Sequence, residues 1–162
     1  GMVLQDTKIF QGTIRENIAY GKPNASIEEI KQAAELSFAN TFIEKLPDGY
    51  DTYISNSDML SEGEVQLLNI ARIMLIKPPI LILDEATSNI DLLTEDMIKK
   101  AILELTSNST SIIIAHRLST IKNCDFIVFI ENGNIVEVGT HDELIDKKGA
   151  YYNMYKSQFN II

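Results

Sequence analysis

Two uninterrupted apolar runs predict strands at the centre of the chain. Residues 80–83 read Ile-Leu-Ile-Leu, and residues 111–115 read Ser-Ile-Ile-Ile-Ala. Short continuous apolar runs are typical of strands that are buried on both faces of a parallel sheet. The first run ends in Asp84 and Glu85, and the second ends in His116. Because ligands of open α/β sheets bind outside the carboxyl ends of the strands, we expect Asp84 and Glu85 at a ligand-binding edge.

Helix starts are predicted by capping boxes, in which Ser or Thr is followed three residues later by Glu. Four such patterns open predicted helices, at Thr13, Ser26, Ser61 and Thr140. After Ser26 and after Ser61 the apolar residues keep helical spacing, and Lys-Pro-Pro at residues 77–79 ends the second of these helices. Apolar positions within residues 97–105 predict another amphipathic helix. Glu-Asn-Gly-Asn at residues 131–134 predicts a hairpin between two strands.

Length and composition favour one globular domain. The chain has 162 residues, of which 45% are hydrophobic, and these values suit about one domain of ordinary globular composition. No apolar run approaches the roughly 18 residues of a membrane span. The formal net charge of −9 disfavours binding to nucleic acid or to anionic lipid, since both need a basic surface. The lone Cys124 excludes an internal disulfide framework and a cysteine metal cluster.

Asp84 and Glu85 are candidates for phosphoryl-transfer chemistry. One carboxylate can hold a magnesium ion, directly or through water, and its neighbour can orient or deprotonate a nucleophilic water. Ser61 opens a predicted helix whose free amides and positive dipole end can bind an anion. The alternative for the acidic pair is a strand that ends in two solvated acids. The alternative for Ser61 is a capped core helix.

The chain lacks a phosphate-binding loop of the Walker A type. Such a loop needs Gly-x-x-x-x-Gly-Lys followed by Ser or Thr. Gly21 and Lys22 form the one Gly-Lys pair in the sequence, but Glu16 stands where the first glycine is needed, and Pro23 replaces the hydroxyl residue. The loop that would hold the β- and γ-phosphates is therefore absent from these residues.

Several of these motifs together resemble the nucleotide-binding domain of an ABC transporter. They are Gln5, the Ser-x-Gly of residues 61–63, the Asp-Glu pair and His116, in this order. The resemblance covers nearly all of the chain, and residues 12–21, Gly-Thr-Ile-Arg-Glu-Asn-Ile-Ala-Tyr-Gly, are similar to the exporter branch. It implies an α/β fold, namely a partial P-loop NTPase (ABC ATPase) fold that is truncated before the Q-loop. Residues 1–162 would hold the helical subdomain, at about 11–77, and the remainder of the parallel-sheet core, at about 78–162.

The resemblance implies roles for four residues of one hydrolytic site. Glu85 would act as the general base, and Asp84 would be the acid on the magnesium side. His116 would sense the γ-phosphate of ATP. Gln5 would contact the magnesium ion or the attacking water. It would also begin the loop that couples the nucleotide site to the membrane domain. The implied cofactors are ATP and Mg2+.

The resemblance also implies that the chain completes a site on a second nucleotide-binding domain. Ser61 and Gly63 would contact ATP bound there, and Ser88 and Asp91 would belong to the D-loop that crosses the dimer interface. The family signature is Leu-Ser-Gly-Gly-Gln, whereas residues 60–64 read Leu-Ser-Glu-Gly-Glu. Each added carboxylate would repel a nearby phosphate charge by roughly 2–4 kcal/mol at an effective dielectric constant near 20. We therefore expect an impaired signature and a partner domain from a different subunit.

The expected parent protein couples ATP hydrolysis to export across a membrane. Its nucleotide-binding domain would lie at the cytoplasmic face, against a transmembrane domain. The chain alone would be inactive and would associate as an oligomer or a swapped dimer. Two alternatives stay open, a non-catalytic interaction module and a soluble ABC ATPase of DNA repair or translation.

Overall fold

The structure is a computed structural model, and it describes residues 1–3, 8–84, 90–107, 109–115 and 118–159. The chain divides into two units, Gly1–Ile114 and Ala115–Ile162. No helix in the described ranges is both long enough and apolar enough to cross a lipid bilayer.

Strands and α-helices alternate one by one between Tyr53 and Glu131. The strands are β1 (Met2–Val3), β2 (Gly12–Thr13), β3 (Tyr53–Ile54), β4 (Ile80–Asp84), β5 (Thr110–Ile114), β6 (Ile127–Glu131) and β7 (Asn134–Gly139). The α-helices are α1 (Ile14–Ala19), α2 (Ile27–Leu36), α3 (Asn40–Ile43), α4 (Glu62–Ile76), α5 (Leu92–Thr106), α6 (Leu118–Ile121), α7 (His141–Lys147) and α8 (Ala150–Phe159). Short 3-10 turns cover Gly49–Asp51 and Ser57–Met59.

A parallel sheet of β1, β4 and β5 lies in the first unit, with β4 in the middle. Val3 of β1 pairs with Leu83, and Asp84 at the end of β4 pairs with Ile114 at the end of β5. The described strands therefore finish at one edge of the sheet. This arrangement confirms the predicted α/β fold with a parallel sheet.

The two faces of this sheet differ in exposure. Leu81 and Leu83 are buried, and they belong to a core that also contains apolar side chains of α4 and α5. On the opposite face Ile112 and Ile114 are 55% and 49% exposed. The prediction that the central strands are buried on both faces is therefore wrong for Ile112 and Ile114.

Helix α4 runs through the core of the first unit. It packs against α1, α2, α5 and β1, and 11 of its 15 residues are buried. The sequence spacing predicts one apolar face, but the helix buries side chains on several sides because neighbouring elements surround it. It ends at Ile76 and is followed by Lys77, whose φ of 51° is left-handed, just before two prolines that cannot continue a helix.

The four predicted capping boxes all form. In each box the glutamate carboxylate accepts a hydrogen bond from the backbone N–H of the Ser or Thr, at 2.7–2.9 Å. The Ser or Thr hydroxyl accepts in return from the glutamate N–H, at 3.2–3.3 Å. These bonds satisfy backbone donors that the first turn of a helix leaves unpaired.

The second unit contains the predicted hairpin and a buried tyrosine. Asn132 and Gly133 have φ values of 51° and 76°, as a two-residue type I′ turn between β6 and β7 requires. Tyr151 of α8 is fully buried, and its hydroxyl lies 2.8 Å from Nδ1 of His141. Tyr151 packs in one cluster with Leu144.

A buried arginine joins α4 to the segment around α1. Arg72 is 9% exposed, and its Nε–H donates to the Asn17 carbonyl at 2.8 Å. Its guanidinium carbon lies 5.3 Å from the ring centre of Phe10 and 5.7 Å from that of Tyr20. The two rings stack with their centres 4.2 Å apart. Burial lowers the pKa of Arg72, while the carbonyl and the ring faces favour the charged guanidinium.

The Asn17 side chain completes this cluster. Its Oδ1 accepts from the Phe10 N–H at 2.9 Å, and its Nδ2 donates to the Phe10 carbonyl at 2.9 Å and to the Thr13 carbonyl at 3.1 Å. Asn17 is 2% exposed. One amide side chain therefore satisfies several backbone groups that are largely screened from water.

We predict that Asn17→Ala lowers the free energy of unfolding by about 2–3 kcal/mol, because buried backbone groups lose their partners. The midpoint of urea unfolding measures this loss. The control is Asn24→Ala at an exposed turn position, for which we expect a change below about 0.5 kcal/mol. Equal effects of the two variants would contradict the prediction.

Candidate functional site

The carboxyl edge of the parallel sheet carries the first group of predicted site residues. Asp84 ends β4 there and is half-buried. The predicted residues Gln5, Glu85, Ser88 and His116 lie outside the described residues. In sequence, Gln5 follows the end of β1 by two positions, Glu85 directly follows β4, and His116 follows the end of β5 by two positions.

Asp84 lies on the more exposed face of the sheet. Its backbone pairs with Ile114, so the two side chains share the face on which Ile112 is also exposed. A carboxylate oxygen is a hard donor, and Mg2+ is usually held by one or two carboxylates together with phosphate oxygens. The half-buried carboxylate at a strand end therefore fits a magnesium-side ligand.

The amino terminus of α4 carries the second group, Ser61 and Gly63. Ser61 is the N-cap residue, and both of its donors reach the same oxygen of Glu64. The Ser61 N–H donates to Glu64 Oε2 at 2.8 Å, and the Ser61 hydroxyl donates to Oε2 at 2.9 Å. Both donors of Ser61 are therefore directed at the carboxylate of Glu64.

Glu62, the other acidic residue of this segment, is exposed. It stands in the first turn of α4, beside Ser61. A carboxylate near a helix amino terminus interacts favourably with the helix dipole. The same position is unfavourable for a second anion that approaches this terminus from outside. Both acids of the signature therefore stabilise the helix and oppose an external phosphate.

Gly63 has a packing role that sequence reasoning did not identify. The residue is buried, and a methyl group added at its Cα would overlap the methyl group of Thr94 on α5. The same added atom would lie 3.2 Å from a methyl carbon of Ile90. The absence of a side chain at Gly63 therefore lets α4 approach the start of α5 closely.

Asp91 caps α5. Its Oδ1 accepts from the Thr94 N–H at 3.0 Å and from the Leu93 N–H at 3.1 Å. Hydrogen bonds from the backbone and side chain of Thr94 lower the pKa of the Asp91 carboxyl below its ordinary value. Asp91 is thus ionised at neutral pH, and it fixes the turn that enters α5.

The structure brings two predicted segments together through a third residue. Ser61 and Gly63 open α4, Asp91 opens α5, and Thr94 contacts both Gly63 and Asp91. The sequence analysis did not identify Thr94. Asp91 at the start of a predicted helix is a typical N-cap residue, and an N-cap side chain accepts from the backbone N–H two or three positions later, which here includes Thr94. Arg72 was also missed, and no sequence signal distinguishes it from an exposed helical arginine.

Comparison with known proteins identifies relatives of this chain. The family model for the ABC transporter matches residues 1–88. The uncharacterized ABC transporter ATP-binding protein YfiC of Bacillus subtilis is 54% identical over 160 residues, which are 98% of this chain and 26% of that protein. A putative multidrug export ATP-binding/permease protein of Staphylococcus aureus is 52% identical over 159 residues, which are 98% of this chain and 28% of that protein.

A solved structure shares the fold. The structure of a bacterial Atm1-family ABC exporter with ATP bound matches with a TM-score of 0.87 and 42% sequence identity, covering 98% of this chain and 28% of that one. The chain therefore spans between a quarter and a third of the length of these relatives. Its fold is part of an ABC ATPase fold, of the P-loop NTPase class. Since the family model covers more than half of the 162 residues, the chain belongs to the ABC transporter family.

Proposed function

We propose that this chain is part of the nucleotide-binding domain of an ABC exporter, which couples ATP hydrolysis to transmembrane export. The observation that carries the proposal is the common edge of β1, β4 and β5, where Asp84 stands and which Gln5, Glu85 and His116 follow in sequence. Relatives named as multidrug export ATP-binding/permease proteins support it. In this proposal residues 11–77 form the helical subdomain and residues 78–162 the remainder of the α/β core.

The proposed chemistry is the attack of water on the γ-phosphate of ATP. Glu85 orients the water and takes up its proton as the general base. Asp84 and Gln5 would hold Mg2+, which would supply positive charge to the phosphate oxygens. His116 donates a hydrogen bond to the γ-phosphate and reports its presence.

The proposed partners are a transmembrane domain and a second nucleotide-binding domain at the cytoplasmic face of the membrane. Ser61 and Gly63 contribute to the ATP site of that second domain, and Ser88 and Asp91 line the interface. The hydrogen bonds from Ser61 to Glu64 support a weakened contribution, since the serine donors already have an acceptor. In a homodimer both ATP sites would receive this weakened contribution from Ser61, so we propose a different subunit as the partner.

The chain by itself is proposed to lack ATP hydrolysis. It contains no Gly-x-x-x-x-Gly-Lys-Ser/Thr sequence, and the loop of that sequence holds the β- and γ-phosphates in P-loop NTPases. Without these contacts the base and the magnesium-side acid have no positioned phosphate on which to act.

We predict that Glu85→Gln in the full-length protein preserves ATP binding and lowers hydrolysis by about two orders of magnitude or more, because the amide cannot accept the proton of water. Phosphate release and retention of bound ATP measure the two effects. The control is Glu104→Gln at an exposed position of α5. Full turnover in Glu85→Gln would mean that the base is another residue.

We predict that the full-length protein alone hydrolyses ATP weakly and that a partner subunit restores turnover. In the mixed transporter, Glu62→Gly with Glu64→Gln should increase ATP occlusion, because the carboxylates that oppose the phosphate are removed. The control is Glu143→Gln, which alters a capping box of the same geometry in the second unit. Vigorous turnover by the protein alone, or unchanged occlusion in the double variant, would refute this assignment.

We predict that the isolated 162-residue chain associates in solution as an oligomer or a swapped dimer. The exposed isoleucines of β5 and the outer edge of that strand, which pairs with no strand of the described ranges, provide surfaces for association. Multi-angle light scattering over a range of concentrations gives the mass. A monomer at the highest concentration would show that these surfaces do not associate.

A further inference from the structure

The starts of α4 and α5 pack so closely at Gly63 that no side chain fits between them. Gly63 is buried on α4, and any side chain there would overlap the Thr94 methyl group. Ile90 adds a second close neighbour, 3.2 Å from the position of an added methyl carbon. The contact joins the segment that contains Ser61 to the turn that contains Asp91.

Thr94 holds this junction from two sides. Its methyl group faces Gly63. Its backbone N–H donates to Asp91 Oδ1 at 3.0 Å, and its side chain helps to lower the pKa of this carboxyl. Thr94 therefore contacts both Gly63 and Asp91. A shift of the start of α4 relative to α5 would disturb the contact with Gly63.

We propose that Thr94 is a positioning residue that fixes the start of α4 relative to the Asp91 turn, so that Ser61 and Asp91 approach a partner domain as one rigid unit. This inference rests on the proposed function, because it assumes that Ser61 and Gly63 serve the ATP site of a second domain. Thr94 itself touches no nucleotide in this proposal. It acts through the placement of Gly63 and Asp91.

The test is a double-mutant cycle in the full-length transporter with its partner subunit. Gly63→Ala introduces the overlap and should lower MgATP occlusion about tenfold, as expected for an overpacked contact. Thr94→Ser removes the methyl group and keeps the hydroxyl. Gly63→Ala with Thr94→Ser should therefore recover occlusion to within about threefold of wild type, which is the nonadditivity expected of residues in contact.

The matched control makes the same chemical change elsewhere on α5. Thr106→Ser removes a methyl group near the end of the helix, where the hydroxyl donates to the Leu103 carbonyl at 3.1 Å. Gly63→Ala with Thr106→Ser should remain as impaired as Gly63→Ala alone. Rescue by Thr106→Ser would overturn the proposal, because the effect would not depend on the contact.

Thermal unfolding of the same variants separates positioning from stability. Recovery of the melting temperature without recovery of occlusion would show that the contact serves packing only, and wild-type occlusion in Gly63→Ala would show that it is not needed. Both results overturn the proposal. If Gly63→Ala does not fold, Thr94→Val keeps the methyl group, removes the hydroxyl, and should lower occlusion at an unchanged melting temperature. Normal occlusion in Thr94→Val would then overturn it.

Failure of the proposed function gives a different result from failure of this inference. If the wild-type transporter does not hydrolyse ATP, turnover is absent from every variant, and the assignment of the chain to an exporter ATPase fails with the inference that rests on it. If the wild type hydrolyses ATP and the cycle shows no rescue, only the role of Thr94 fails.

Discussion

Helix α4 packs against four neighbouring elements, and this burial organises the first unit. Its start meets α5 at the side-chain-free surface of Gly63, and its later turns carry Arg72 into the Asn17 cluster. One rigid helix thereby links the predicted signature to the segment around α1. Because protein interiors are close-packed, the neighbours of α4 must move when the helix is displaced.

The start of α4 illustrates a conflict between local stability and ligand binding. A glutamate at the third helical position completes a capping box and interacts well with the helix dipole. In this chain that glutamate is Glu64, and its carboxylate accepts both donors of Ser61. A residue that is favourable for the helix thus takes up both donors of Ser61, which the proposed function assigns to ATP on a second domain.

One face of the parallel sheet carries exposed apolar side chains. The chain corresponds to 26% and 28% of two relatives, and Ile112 and Ile114 remain about half exposed on this face. Asp84 stands on the same face, so the candidate magnesium ligand lies beside exposed apolar side chains. The chemistry proposed for Asp84 also needs a loop that holds the phosphates, and the 162 residues contain no Walker A sequence.

The sequence alone determined the features that depend on nearby residues. Capping boxes such as Ser61 with Glu64, the turn at Asn132 and Gly133, and the strand that ends in Asp84 could all be predicted, because their hydrogen bonds and dihedral angles involve neighbours within a few positions. The tertiary structure decided the rest. Burial around α4, the contact of Gly63 with Thr94 and the enclosure of Arg72 by Phe10 and Tyr20 join residues distant in sequence, and no local period or cap encodes which helix faces which.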